Sequence, residues 1–319
     1  MRQFGKLGKV SALTLGGGGI GQVWGTTTRE ESVATVRQAV ESGITFLDMA
    51  PSYGNGESES VIGEAFGGKL PDGVRISTKS HVGRVPAEQV ATVLESSLTR
   101  SLSLLGIEYV DLFFLHGKII ADNEVGKYDG TSRSIFMEAV LPTFERFINE
   151  GRIGFWGISG VGVPLPVMET IDANPEPHAV QVVTNLLDSI GDLRSFEGPA
   201  YPRKILEKCR DKGIGVMGIR AVQAGALTDR PDRQLSSSNP EHIDFHRAAP
   251  YRKFAIEIGE SPASLAHRYS LSMDGVSTVV LGVKNRTELK ECIDAAEKGP
   301  LDEEIVKRID SLGLRSSIG

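Results

Sequence analysis

The sequence predicts an α/β protein built as a (β/α)8 barrel. Short runs rich in β-branched residues alternate with helical patterns along the whole chain, and this order is typical of parallel strands joined by crossover helices. There are eight such units within about 280 residues, which is the number and length typical of this barrel. No low-complexity linker or break in composition divides the 319 residues, so we expect a single domain over residues 1–319.

The individual elements follow from the local pattern. Strands are predicted at residues 11–15, 44–49, 74–79, 109–116, 152–159, 179–184, 214–219 and 277–282. Helices are predicted at residues 29–42, 57–66, 86–106, 134–151, 165–173, 201–213, 261–272 and 286–299. Pro86 begins one helix, and Gly106, Gly151 and Gly213 end others, which are the usual start and stop signals.

Three connecting segments stand outside this alternation. Residues 2–10 predict a short β-hairpin before the first barrel strand. Long loops follow the fourth and seventh strands, at residues 117–133 and 222–250. Because the loops after barrel strands carry the chemistry of this fold, both are expected to shape a substrate pocket.

Composition favours a small-molecule partner. The chain is 40% hydrophobic with a formal net charge of −6, so it lacks the basic surface expected for nucleic acid or an anionic membrane. Cys209 and Cys292 show no disulfide or metal-ligand spacing, which predicts a reducing compartment and no metal site. No stretch approaches the ~18 apolar residues of a membrane span, and the first residues lack a signal-peptide core. We expect a cytoplasmic protein, and the sequence makes no prediction of oligomeric state.

The glycine run also matches a motif that is typical of a different fold. Gly16, Gly18 and Gly21 match G-x-G-x-x-G after a predicted strand, and Asp48 is a possible ribose acid, as in a Rossmann fold. That motif needs a helix at its last glycine, whereas the helical pattern begins only near Arg29. The eight-strand alternation therefore favours the barrel, in which these glycines allow a tight turn or close backbone approach.

Four ionisable groups lie at or just after the ends of three consecutive predicted strands. They are Asp48 with Tyr53 in the following loop, then Lys79, then His116. Each alone has an ordinary interpretation, as a turn residue, a packing aromatic, a solvated strand end and a satisfied core histidine. Together they are complementary, because a buried ammonium needs an acid and draws the pKa of a nearby phenol below about 10. Such a phenol can donate a proton to an oxygen that becomes an alkoxide, while the imidazole orients that oxygen.

Four motifs in order resemble the aldo-keto reductase superfamily across nearly the whole chain. The matching stretches are GITFLDMAPSYGNGESESVIGEAF, TK at 78–79, YVDLFFLHG and GRIGFWGISG. The resemblance implies an oxidoreductase that uses a nicotinamide cofactor. It also implies a catalytic tetrad: Tyr53 as general acid, Lys79 lowering its pKa, Asp48 pairing with Lys79, and His116 positioning the carbonyl.

The same resemblance places the cofactor across the barrel mouth. It implies that Ser159 and Gln181 bind the nicotinamide carboxamide and that Asp48 is also a cofactor contact. Barrels commonly bind phosphate with the loops after strands 7 and 8 and a helix N-terminus. The expected cofactor contacts in these loops and beside them are Ile219, Arg220, Gly225, Leu227, Gly282, Lys284, Arg286, Glu288 and Cys292.

Cofactor preference is left open by the residues themselves. Lys284 and Arg286 are able to pair with a 2′-phosphate, so NADP(H) is expected. Glu288 stands where the family usually has Arg or Gln, and an acid there would accept from a ribose 2′-hydroxyl, which favours NAD(H). Other departures are Gly160 for an Asn, Ile219 for a stacking aromatic and Cys292 for an Asn.

The expected reaction is NADP(H)-dependent reduction of aldehydes or ketones. The expected substrate pocket contains Tyr53, His116, Trp24 after the first strand and Tyr128 in the 117–133 loop. One alternative is an NAD-linked sugar or alcohol dehydrogenase that runs the same steps in reverse, since GISG…VPLPV is similar to aldose dehydrogenases of the superfamily. A more distant alternative is a cofactor-sensing regulatory subunit.

Overall fold

A computed structural model describes residues 1–231 and 233–315 and confirms the barrel. Eight parallel strands close on themselves, and each lies within two residues of its predicted ends. In chain order the barrel strands are β3 (Leu13–Gly16), β4 (Phe46–Asp48), β5 (Arg75–Ser80), β6 (Val110–Leu115), β9 (Ile153–Ser159), β10 (Ala179–Val183), β11 (Gly215–Ile219) and β12 (Thr278–Leu281). The other four strands form the pairs β1 (Arg2–Gln3) with β2 (Lys9–Val10) and β7 (Ile119–Ile120) with β8 (Thr131–Ser132).

Helices surround the barrel and include each of the predicted ones. They are α1 (Gly17–Ile20), α2 (Arg29–Glu41), α3 (Glu57–Phe66), α4 (Ala87–Leu105), α5 (Arg133–Ile135), α6 (Leu141–Asn149), α7 (Pro164–Ile171), α8 (Pro202–Asp211), α9 (Pro240–Arg247), α10 (Ala249–Glu257), α11 (Pro262–Ser272), α12 (Arg286–Glu297) and α13 (Glu303–Ser311). The helix predicted at 134–151 is divided, because Phe136–Val140 between α5 and α6 adopts π-helical geometry. None of the helices within the described ranges is long and apolar enough to cross a membrane.

The parallel register brings the predicted polar residues to one rim. Asp48 lies opposite Ser77 in the β4–β5 ladder, and Ser159 lies opposite Gln181 in the β9–β10 ladder. Lys79 is one residue from the end of β5. Since the carboxyl ends of parallel strands share one edge, side chains from separate strands converge there.

The N-terminal residues form the predicted hairpin, and it packs across the amino end of the barrel. Its two strands pair antiparallel, and Phe4 between them is fully buried. The Phe4 ring lies edge-on to Phe46 with 5.6 Å between centroids, and a Cβ on Gly215 would overlap the Phe4 ring. Apolar side chains therefore fill the amino end of the barrel, whereas the polar side chains described above lie at the carboxyl end.

Both long loops contain structure that the sequence reasoning missed. Residues 117–133 hold the strands β7 and β8, and residues 222–250 hold the helix α9. The missed start signal of α9 is Asn239 followed by Pro240, since the Asn239 side chain accepts from the Glu241 N–H at 2.8 Å. The helices α10 and α13 were also not predicted.

The glycine run forms the four-residue helix α1, although the sequence suggested no helix before Arg29. A Cβ on Gly19 would overlap the Val283 carbonyl, so the absence of a side chain lets this segment pack against the loop after β12. These glycines serve close packing within a barrel and do not open a Rossmann helix.

Candidate active site

The centre of the rim is a buried ion pair between Asp48 and Lys79. Their side chains are 3% and 0% exposed, and Lys79 Nζ lies 2.9 Å from Asp48 Oδ2. The same Oδ2 accepts from the Gln181 amide at 2.9 Å, and Oδ1 accepts from the Ser77 hydroxyl at 2.7 Å. Buried charges cost several kcal/mol unless paired and hydrogen-bonded, and here both carboxylate oxygens are satisfied.

Lys79 uses all three of its ammonium hydrogens in fixed directions. Besides Asp48, Nζ donates to the Met49 carbonyl at 2.8 Å and to the Tyr53 hydroxyl oxygen at 3.3 Å. Burial lowers the pKa of Lys79, but the Asp48 carboxylate and the Tyr53 oxygen outweigh burial and raise it above its usual value. Lys79 therefore remains a cation and points one N–H at the phenol.

The Tyr53 hydroxyl oxygen accepts a hydrogen bond from Lys79. Because its oxygen accepts from Lys79, its O–H hydrogen is directed to another acceptor. Burial raises the pKa of Tyr53, the Lys79 ammonium lowers it, and the Asp48 carboxylate adds to the rise, so the net direction is upward. The prediction that the pKa of Tyr53 lies below its usual value was wrong, because sequence reasoning counted the cation and not the burial.

His116 adjoins this group as a neutral imidazole. Its ring lies edge-on to Tyr53 with centroids 5.6 Å apart, and Nδ1 lies 3.4 Å from the Ser52 hydroxyl. Burial, with the charges of Lys79 and His81, lowers the pKa of His116 to about 3. A neutral imidazole carries one N–H that can donate to a substrate oxygen.

The depressed pKa of His116 predicts an acid-sensitive contribution to stability. The unfolded chain protonates this imidazole near pH ~6.5, whereas the folded chain resists protonation down to about pH 3. Unfolding thus takes up a proton below pH ~6.5, and stability should fall by roughly 2 kcal/mol between about pH 7 and pH 5. His116→Gln should lose this part of the pH dependence in urea unfolding, whereas the exposed His246→Gln should keep it. If the unfolding free energy of His116→Gln kept the pH dependence of the wild type, the lowered pKa of His116 would be contradicted.

Ser159 and Gln181 lie on neighbouring strands, as expected, and both are buried. Ser159 Oγ donates to the Leu115 carbonyl at 3.1 Å, and the Gln181 amide donates to Asp48. The Gln181 amide therefore lies against Asp48, and Ser159 lies beside Gln181 in the β9–β10 ladder.

Arg220 lies deep in a polar network behind the mouth. Its side chain is 7% exposed and pairs with Glu241 and, at 3.1 Å, with Asp192. Its Nε also donates to Gln223 at 2.9 Å. Glu241 in turn pairs with Arg233 at 2.7 Å, so this carboxylate ties the end of β11 to the following loop.

The remaining predicted cofactor contacts divide between the rim and the protein interior. Gly282 faces Trp24, because a Cβ added to it would lie 3.2 Å from the Trp24 indole nitrogen. Gly225 adopts a left-handed conformation in the turn after β11, and Leu227 is buried in a cluster with the outer helices. The Cys292 Sγ is buried 3.8 Å from His267 Nε2, and burial raises the pKa of its thiol to about 12.

At the start of α12, Lys284 and Arg286 both contact carboxylates. Lys284 Nζ lies 2.9 Å from Glu288 Oε1, and Arg286 Nη2 lies 2.9 Å from Glu31 Oε2. The Arg286 backbone N–H also donates to Glu31, at 2.9 Å. The first N–H of this helix and the Arg286 guanidinium thus together bind an anionic group, the Glu31 carboxylate.

The walls of the predicted pocket are partly apolar. Tyr128 is 8% exposed and packs in a cluster with Ile120 and Val183, against which Ile219 also packs. The Tyr128 hydroxyl accepts from the Glu197 N–H at 3.2 Å. Trp24 is half-buried, and the Arg233 guanidinium lies 5.2 Å from its ring centroid.

Fold and site together define a barrel enzyme whose carboxyl rim holds a buried Asp48–Lys79 ion pair beside the Tyr53 hydroxyl. The Aldo/keto reductase family model matches residues 12–313, and the chain belongs to this family. It is an NAD(P)-dependent oxidoreductase of that family, and the resemblance seen in the four motifs is confirmed.

Curated relatives and solved structures are similar to this chain over nearly its whole length. L-galactose dehydrogenase from Arabidopsis thaliana is 26% identical over 98% of this chain and 93% of its own. The holo form of an aldo-keto reductase from Bacillus halodurans shares the fold with a TM-score of 0.72 at 21% identity, covering 98% of this chain and 95% of its own. An aldo/keto reductase from Klebsiella pneumoniae, in complex with NADP and acetate, superposes with a TM-score of 0.70 at 20% identity, covering 99% and 95%.

The residues at the mouth fit a nicotinamide dinucleotide. Hydroxyl and amide groups of Ser159 and Gln181 suit a carboxamide, and the α12 start suits an anion because the Glu31 carboxylate already binds there. Sequence reasoning found the strand-end members of this site from their positions. It missed Ser77 and Glu31 because their partners lie on other elements, and no local signal marks them.

Proposed function

We propose that the protein reduces aldehydes or ketones to alcohols, with Tyr53 as the proton donor. The observation that carries this proposal is the 3.3 Å contact from the buried Lys79 ammonium to the Tyr53 hydroxyl. A nicotinamide cofactor supplies the hydride when bound, and Ser159, Gln181 and the α12 start would hold it. The reaction also needs a proton for the carbonyl oxygen, which the chain must provide.

The chain's own groups account for that proton. The raised pKa of Tyr53 keeps the phenol protonated at neutral pH, so the acid is present in its donating form. As Tyr53 gives the proton to the carbonyl oxygen, the nearby Lys79 ammonium stabilises the phenolate that remains. Asp48 keeps Lys79 charged and in place, and the neutral His116 imidazole orients the carbonyl oxygen by hydrogen bonding.

NADP(H) is the first cofactor to test, with NAD(H) as the alternative. It is supported by the two cations Lys284 and Arg286 and by the NADP complex of the Klebsiella pneumoniae relative. We further propose a cytoplasmic location, which the acidic net charge and the free, buried Cys209 and Cys292 support.

Sugar oxidation is a second candidate function. The supporting observation is the similarity to L-galactose dehydrogenase, which extends over 98% of this chain. In that direction Tyr53 would act as a phenolate base. The raised pKa of Tyr53 disfavours this form at neutral pH, so oxidation should accelerate as the pH rises.

A two-way substrate panel tests these candidates. Aldehydes and ketones are offered with NADPH or NADH, and aldoses and simple alcohols with NADP⁺ or NAD⁺, while nicotinamide absorbance is followed. We expect turnover of carbonyl compounds at neutral pH. Turnover of aldoses alone would select the dehydrogenase, and cofactor binding without any turnover would favour a regulatory subunit.

A further inference from the structure

A carboxylate of this chain occupies the anion-binding position at the start of α12. Glu31 Oε1 accepts from the Arg286 backbone N–H at 2.9 Å and from Nε at 3.1 Å, while Oε2 accepts from Nη2 at 2.9 Å. A two-point guanidinium contact with an added backbone N–H is the arrangement by which proteins bind phosphate and carboxylate. Glu31 therefore uses the donors that a phosphate would need.

A second carboxylate, that of Glu288, contacts the neighbouring cation Lys284. Glu288 Oε2 accepts from the Lys284 backbone N–H at 2.8 Å, and Oε1 lies 2.9 Å from Lys284 Nζ. Both predicted phosphate-binding cations thus already contact acids. The side chains of Lys284 and Glu288 are 18% and 33% exposed, so this pair is largely shielded.

Two helix caps fix these acids in place. Thr28 caps α2 by accepting from the Glu31 N–H at 3.1 Å, and Asn285 caps α12 by accepting from the Glu288 N–H at 2.9 Å. Since α2 follows β3 and α12 follows its barrel neighbour β12, the two helices pack side by side. The first turn of α2 therefore delivers Glu31 to the first residue of α12.

The contacts of Glu31 and Glu288 should affect the binding of the two nicotinamide cofactors differently. They differ at one adenosine position, which carries a phosphate in NADP(H) and a hydroxyl in NAD(H). A 2′-phosphate would have to displace Glu31 from Arg286 and would be repelled by Glu288. A neutral 2′-hydroxyl displaces nothing and can donate to a carboxylate.

We propose that Glu31 is a specificity-determining residue that competes with the cofactor 2′-phosphate for Arg286. As a result the protein favours NADP(H) over NAD(H) by less than about tenfold in affinity, although it carries two cations suited to a phosphate. This inference rests on the proposed function, which places a nicotinamide cofactor at the barrel mouth.

Direct binding measurements test the proposal without relying on catalysis. NADPH and NADH are titrated separately into the full-length protein while its tryptophan fluorescence is followed. Glu31→Gln should tighten NADPH binding by about tenfold, the loss of a competing charge-assisted hydrogen bond, and change NADH binding by less than about twofold. The matched control is Glu30→Gln, an exposed acid in the same helix turn, which should leave both affinities unchanged.

A double variant separates competition from a general change in charge. In Glu31→Gln/Arg286→Gln the gain in NADPH affinity should disappear, because the freed guanidinium is the group that holds the phosphate. An unchanged ratio of NADPH to NADH affinity in Glu31→Gln would overturn the proposal, as would a wild type that binds NADPH more than about tenfold tighter than NADH. If neither nucleotide binds the wild type, the proposed function fails as well. If the wild type turns over carbonyl compounds normally but Glu31→Gln leaves both cofactor affinities unchanged, only this inference fails.

Discussion

Replacing Tyr53 by Phe is expected to lower the turnover of carbonyl reduction by about 10²-fold or more, with cofactor binding retained. In the proposed mechanism Tyr53 supplies the proton that the carbonyl oxygen needs. The imidazole of His116, with a pKa of about 3, is neutral at neutral pH and does not replace Tyr53 as the acid. Phe keeps the ring that lies edge-on to His116 and beneath Lys79 Nζ, 4.7 Å from the ring centroid. The change therefore removes the hydroxyl and leaves the packing.

A second tyrosine provides the control for this experiment. Tyr109 precedes β6 at the opposite end of the barrel and is 42% exposed. Tyr109→Phe should have wild-type turnover. Steady-state kinetics and cofactor titration of the two variants give the comparison, and a Tyr53→Phe enzyme as fast as Tyr109→Phe would remove Tyr53 from the mechanism.

Replacing Lys79 by Met is expected to cost both activity and stability. The change leaves the Asp48 carboxylate buried with only Ser77 and Gln181 as donors among the contacts described above. Breaking a buried ion pair in this way typically costs about 3–5 kcal/mol, measured here as the free energy of urea unfolding. Turnover should fall as well, because no cation remains to stabilise the Tyr53 phenolate.

The double variant Asp48→Asn/Lys79→Met distinguishes the two effects. Removing both charges relieves the unpaired carboxylate, so most of the lost unfolding free energy should return. Turnover should stay low, since the phenol still lacks its ammonium. If Lys79→Met alone lowered the free energy of unfolding by less than about 1 kcal/mol, the Asp48–Lys79 contact would contribute no more than an exposed ion pair, which would contradict this account.

The barrel and the cluster of Asp48, Tyr53, Lys79 and His116 at its rim could be predicted from the sequence, because both follow from local patterns combined with a rigid topology. Once the strands are parallel and closed, residues at their carboxyl ends meet at one rim, so Asp48, Lys79 and His116 follow from their positions. Tyr53 follows from lying five residues beyond Asp48 in the adjoining loop.

The rest required coordinates because it depends on burial and on contacts between distant elements. The direction of the Tyr53 pKa is set by burial, which the sequence does not display. The Gln181 contact to Asp48 joins residues 133 positions apart, and the Glu31 contact to Arg286 joins residues 255 positions apart. The helix α9 was missed for a different reason, since its eight residues show too little apolar periodicity to stand out within a long loop.

The most direct test of the central claim is the pH dependence of carbonyl reduction in a single turnover, with cofactor already bound. If Tyr53 is the proton donor and its pKa is raised by burial, the rate should be constant from about pH 6 to pH 9 and fall only at higher pH. A rate that instead falls with a midpoint between about pH 6 and pH 7, and loses that midpoint in His116→Gln, would identify the imidazole as the acid and contradict the account.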